Sequence, residues 1–101
     1  MTTERKFLVV DDDSVSRLIL EKMLSEMGYE VLCAENGEAG WRIFQKEKEH
    51  IYFVMLDWLM PKMNGMELCK KIRNVDVSHY VYIVLVSAKS EKKDVVAAFE
   101  A

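Results

Sequence analysis

The sequence predicts an open, doubly wound α/β domain: a parallel sheet with helices on both faces. Three observations carry this. Short unbroken apolar runs, Phe7-Leu-Val-Val10, Ile51-Tyr-Phe-Val-Met-Leu56 and Val81-Tyr-Ile-Val-Leu-Val86, have the length and continuity of strands covered on both faces. Between them lie stretches whose apolar residues recur every three or four positions, the period of a helix with one face inward. Strand and helix therefore alternate, and alternation implies right-handed crossovers joining parallel neighbours.

Taken in order, the first strand is Phe7 to Val10, and it runs into Asp11-Asp12-Asp13. Val15, Leu18, Ile19, Met23, Leu24 and Met27 then mark a first helix, which Gly28 stops because glycine takes a left-handed backbone without penalty. Glu30-Val-Leu-Cys-Ala34 reads as a second strand. Asn36 can cap a second helix carrying Ala39, Ile43 and Phe44. The third strand, Ile51 to Leu56, ends in Asp57 and leads into a loop that holds the sole proline, Pro61. Asn64 with Glu67 three residues later has the form of a capping box and opens a helix from Met66 to Arg73. The fourth strand, Val81 to Val86, ends in Ser87, and Glu91 to Ala101 reads as the start of a fourth helix. No repeat, low-complexity stretch or linker divides residues 1–101, which read as one domain.

Half of the 101 residues are apolar and 31% are charged, enough apolar surface for a core. The formal charge of -3 and a pI near 5.4 argue against a protein that works by neutralising nucleic-acid phosphates, and no direct nucleic-acid partner is expected. Cys33 and Cys69 show no metal-ligand spacing and read as reduced thiols, while His50 and His79 read as surface residues. Only four apolar residues follow Met1 to Lys6, too few for a signal peptide or a membrane span, so a cytoplasmic protein without membrane contact is expected. Met55, Met60, Met63 and Met66 read as packing residues, and Trp58 as an aromatic beside the end of the third strand.

The chemistry is expected where strands end. In open α/β sheets ligands collect outside the carboxyl ends of the strands. If the first and third strands are neighbours, Asp11, Asp12 and Asp57 converge there, and such like charges call for a cation. An all-oxygen donor set suits Mg²⁺. A carboxylate beside Mg²⁺ can attack a phosphoryl group in line and become an acyl phosphate, and the Ser87 hydroxyl, on the same sheet edge, can donate to a phosphoryl oxygen. Asp11 to Asp13 alone would pass for a helix cap with favourable charge at the positive end of the dipole. The third carboxylate, ending a separate apolar strand ahead of a Pro-Gly loop, favours a site.

Three blocks, Phe7-Leu-Val-Val-Asp-Asp12, Met55-Leu-Asp57 with Met60-Pro-Lys-Met-Asn-Gly65, and Val84-Leu-Val-Ser-Ala88, resemble in order and spacing the receiver domains of bacterial response regulators, those of the single-domain chemotaxis type most nearly. The resemblance implies a flavodoxin-like strand order and Asp57 as phosphoacceptor. It implies Asp12 and Asp57 as direct Mg²⁺ ligands, Asp11 as a ligand through water, and the Leu59 backbone carbonyl as a further one. Ser87 matches the switch hydroxyl, Ala88 leaves space beside it, and Leu59 and Lys89 match positions that tune phosphate hydrolysis. The implied donor is a histidine kinase or phosphotransfer protein, and the implied output an effector domain or partner protein; such a protein is a phosphoacceptor, not an enzyme in the ordinary sense. Receivers continue with a fifth strand, bearing a lysine, and a fifth helix; this chain is expected to lack both, with Lys62 and Lys89 reading as solvated.

Two other readings stand beside this one. Asp11-Asp12-Asp13-Ser14-Val15 also fits the pattern of haloacid-dehalogenase-type phosphatases, with Asp11 as nucleophile and Asp13 as acid. A receiver-like binding module that is never phosphorylated is the other. Without a fifth strand and helix, Val81 to Val86 would become a sheet edge and Leu18, Ile19 or Met23 would be partly uncovered, so either a homodimer or a longer chain is expected.

Overall fold

The computed structural model describes residues 5–57 and 63–86, and the backbone of 96–99. Its elements are β1 (Lys6–Val10), α1 (Ser14–Glu26), β2 (Glu30–Ala34), α2 (Gly37–Glu47), β3 (Ile51–Asp57), α3 (Gly65–Arg73), β4 (Tyr82–Val86) and β5 (Val96–Phe99). The sheet order is β2-β1-β3-β4-β5, and the first four strands are parallel. This is the doubly wound, flavodoxin-like order. The strand order reverses at β1, so β1 and β3 are neighbours at the switch point where such folds build sites.

The local signals act as their chemistry requires. The Asn36 side chain accepts from the Ala39 N–H at 2.8 Å and starts α2. At α3, Asn64 accepts from the Glu67 N–H at 2.9 Å while the Glu67 carboxylate accepts from the Asn64 N–H at 3.1 Å, completing the capping box. Gly28 has φ of +98°, the left-handed turn that ends the α1 segment. At Gly40 a Cβ would lie 2.8 Å from a Val10 methyl, so α2 approaches β1 at a distance only glycine permits.

Side chains on alternate positions of the strands build two different faces. Leu8, Val10, Val54, Leu56, Ile83 and Leu85 are sealed beneath Phe44, Leu68 and Ile72 of α2 and α3. On the opposite face α1 packs over β1 and β2, where Val9 and Leu24 are buried. There Phe7 stacks on Phe53 at 4.7 Å, with Tyr29 edge-on to Phe7 at 4.9 Å and Tyr82 at 5.9 Å from Phe53. Val15, Leu18, Ile19, Met23 and Met27, whose spacing marked the apolar face of the α1 segment, are exposed among the described residues.

Two expectations need correction. Val96–Phe99, inside the segment read as a fourth helix, is a strand that pairs antiparallel with β4, from Ile83↔Phe99 to Val86↔Val96. Without this pairing the outer edge of β4 would present unpaired N–H and C=O groups, and satisfying them competes with the helical pattern of the segment. The sheet thus has five strands, and β4 is paired on both sides rather than lying at an edge. The other residues of the predicted helix lie outside those described. His79, read as a surface residue, is half-buried: its Nε2 donates to the Ile51 carbonyl at 2.8 Å and its ring stacks on Tyr52 at 3.8 Å. His50 is exposed. Cys33 and Cys69 are free thiols, half-buried and buried, and desolvation pushes both above the ordinary thiol range.

Candidate functional site

β1 and β3 run side by side with Val10 opposite Leu56, so the next residues, Asp11 and Asp57, leave the sheet at the same level. Asp57 is 4% exposed, Asp11 is 8% exposed and Asp12 is half-buried. One carboxylate oxygen from each of the three lies within 4.8 Å of the other two. Among the described residues this is the acidic group the sequence placed at the strand ends.

Asp11 is fastened by hydrogen bonds to other described residues. Its N–H donates to the Ala34 carbonyl of β2 at 3.1 Å. Its Oδ1 accepts from the Asp13 N–H at 2.9 Å. Its carbonyl accepts from Arg17 Nη1, one turn into α1, at 2.7 Å. Asp13 turns the other way: its Oδ2 accepts from the Ser16 N–H at 2.9 Å as the N-cap of α1, and it is exposed. A phosphatase reading with Asp13 as the acid therefore finds that residue engaged in capping, while Asp57 joins Asp11 and Asp12.

Two nearly buried carboxylates beside a third repel one another unless a cation or protons compensate. The donors are all hard oxygens on short, fixed side chains, which suits a divalent ion of the Mg²⁺ kind and gives no purchase to a thiophilic metal. Trp58, Leu59, Pro61, Lys62, Ser87, Ala88 and Lys89, all singled out from the sequence, lie outside the described residues. Arg17 was not singled out; its signal in the sequence was a cation six residues after Asp11, within reach of the loop once α1 is formed.

A sequence model for the response regulator receiver domain matches residues 7–101. The chain belongs to the response regulator receiver family. It is 38% identical over 97 residues to a chemotaxis protein CheY homolog of Campylobacter jejuni, covering 95% of this chain and 74% of that protein. Among solved structures, a receiver domain protein of Clostridium thermocellum superposes with a TM-score of 0.76 at 30% identity, over 82% of this chain and 64% of that one. The response regulator TrrA of Thermotoga maritima, solved in complex with Mg(2+)-BeF, gives 0.72 at 35% identity, over 89% of this chain and 75% of that one. The acidic group of this receiver domain is thus of the type the family uses for two-component signalling, and its donor set is consistent with Mg²⁺. Among the described residues no helix is long and apolar enough to cross a membrane.

Proposed function

We propose that this receiver domain is a phosphorylation-dependent switch of the cytoplasm in which Asp57 accepts the phosphoryl group. The observation that carries the reading is the place of Asp57 at the buried end of β3, with Asp11 and Asp12 within 4.8 Å. In the proposed step an Asp57 carboxylate oxygen attacks phosphorus, the bond from phosphorus to a histidine nitrogen of the donor breaks, and the imidazole departs with the electron pair and takes up a proton. The donor is a histidine kinase or a phosphotransfer protein, and the product is an aspartyl phosphate that an effector domain or partner reads. Bound Mg²⁺ would neutralise charge on the transferring oxygens and on the acyl phosphate.

Asp12 and Asp57 would hold that ion directly, with the Leu59 carbonyl beside them, and Asp11 would reach it through water. Support for this division comes from the loop: one oxygen of Asp11 already accepts from the Asp13 N–H, which reduces its freedom to turn toward an ion. By resemblance, Ser87 binds a phosphoryl oxygen as the switch hydroxyl, Ala88 leaves room for it, and Leu59 and Lys89 set the lifetime of the phosphoryl group. The chain serves as substrate of its own phosphorylation rather than as an ordinary enzyme.

The test is labelling by acetyl phosphate. Incorporation is expected with Mg²⁺ and not with excess chelator, and Asp57→Asn should abolish it. Labelling that persists unchanged in Asp57→Asn contradicts the assignment.

A further inference from the structure

We infer that Arg17 is a positioning residue of the acidic site: it holds the β1 to α1 loop in the shape that brings Asp11 and Asp12 to Asp57. The inference rests on the reading of that group as a Mg²⁺ site. Arg17 is half-buried, and its Nη1 donates to the Asp11 carbonyl at 2.7 Å. A charge-assisted bond of that length is among the stronger hydrogen bonds a side chain makes to backbone. The peptide it grips is the one joining Asp11 to Asp12, so it fixes the turn from which both carboxylates project.

The other bonds described for this loop act on different groups. The bond from the Asp11 N–H to Ala34 extends the pairing of β1 with β2 and fixes the preceding peptide. The bond from the Asp13 N–H to Asp11 Oδ1 links two members of the loop to each other, so the pair can swing together. Asp13 is tied to α1 through Ser16 and through the Arg17 N–H, which donates to the Asp13 carbonyl at 3.0 Å. Among the described residues the Arg17 side chain ties the Asp11 carbonyl to the helix, and the helix is anchored on the sheet through buried Leu24.

Two physical roles for this cation predict opposite signs. As a bare positive charge near the site, Arg17 would repel Mg²⁺, and its removal would tighten metal binding. As a positioning group it pre-orders the ligands, and its removal weakens binding, because the ion must then pay the ordering entropy of the loop. Arg17→Met, which keeps the aliphatic stem, should raise the Mg²⁺ dissociation constant about tenfold, the low end of what loss of a supporting partner costs a metal site. Arg17→Lys keeps a charge but not the fork and should fall between.

The experiment is Mg²⁺ titration of wild type, Arg17→Met and Arg17→Lys, with amide hydrogen exchange of the metal-free proteins as a second readout. Weaker binding in the order wild type, Lys, Met, with faster exchange at the Asp11 and Asp13 amides in Arg17→Met, is the expected result. Equal or tighter Mg²⁺ binding by Arg17→Met, in a variant that melts cooperatively, overturns the role of Arg17 and leaves the metal site standing. A wild type that does not bind Mg²⁺ at millimolar concentration overturns the site itself, and the role of Arg17 with it.

Discussion

Asp57 and Asp11 are two carboxylates that the fold places almost out of reach of water, a position acidic side chains take only with compensation. Their neighbour Asp12 is more accessible, and the division of labour proposed among the three draws on the bond that Asp11 already makes. Because Asp11 Oδ1 is engaged by the Asp13 N–H, Asp12→Asn should weaken Mg²⁺ binding more than Asp11→Asn; calorimetric titration yielding equal losses would contradict the assigned roles. At the far end of the sheet, Lys6 Nζ donates to Glu47 Oε1 at 3.1 Å and lies 3.6 Å from Glu30 Oε2. The hydrogen bond to Glu47, with the nearby charges, raises the Lys6 ammonium above the ordinary lysine value of 10.5. A group raised in the folded state stabilises below its unfolded value, so this contribution is full below about 10.5 and is lost as pH rises through the higher folded value. Urea melts at neutral and strongly alkaline pH should show the Lys6→Met cost shrinking toward alkali; a cost independent of pH would remove the ion pair from the account.

At the scale of elements, α1 shows how burial decides cost. Leu24 is its buried apolar anchor, whereas Leu18 and Ile19 are exposed. Leu24→Ala should therefore destabilise by about 2–3 kcal/mol through lost burial and the cavity left behind. Ile19→Lys should change stability by less than about 0.5 kcal/mol. Denaturant melts of the two variants check this, and a larger loss for Ile19→Lys would mean that the helix is covered by something further. The start of α3 depends on Asn64, whose replacement by Ala should cost ~1 kcal/mol because the Glu67 N–H loses its acceptor. These caps were legible in the sequence because capping is local chemistry. β5 was not: Glu91 to Ala101 reads as the start of a helix, and the pairing of Val96–Phe99 with β4 depends on another part of the chain. The place of His79 against Ile51 and Tyr52 was equally hidden, since it depends on contacts across the loop before β4.

For the molecule as a whole, the acidic site was readable because three strand ends carry polar groups and the strand order brings two of them together. Arg17 was missed because its target is a backbone carbonyl, so its one cue in the sequence, a cation six residues after Asp11, does not point to a partner. Since the three carboxylates assemble only in the native state, Mg²⁺ should stabilise the fold by ~2.7 kcal/mol at about 100 times its dissociation constant, and far less in Asp12→Ala. A melting temperature of the wild type indifferent to millimolar Mg²⁺ would speak against the metal site. The central claim, that Asp57 takes the phosphoryl group, is tested most directly by exposing the protein to acetyl phosphate with Mg²⁺, reducing the acyl phosphate with borohydride and locating the resulting homoserine by mass spectrometry. Homoserine at position 57 is the predicted result; homoserine at position 11 or 13, with none at 57, would contradict it.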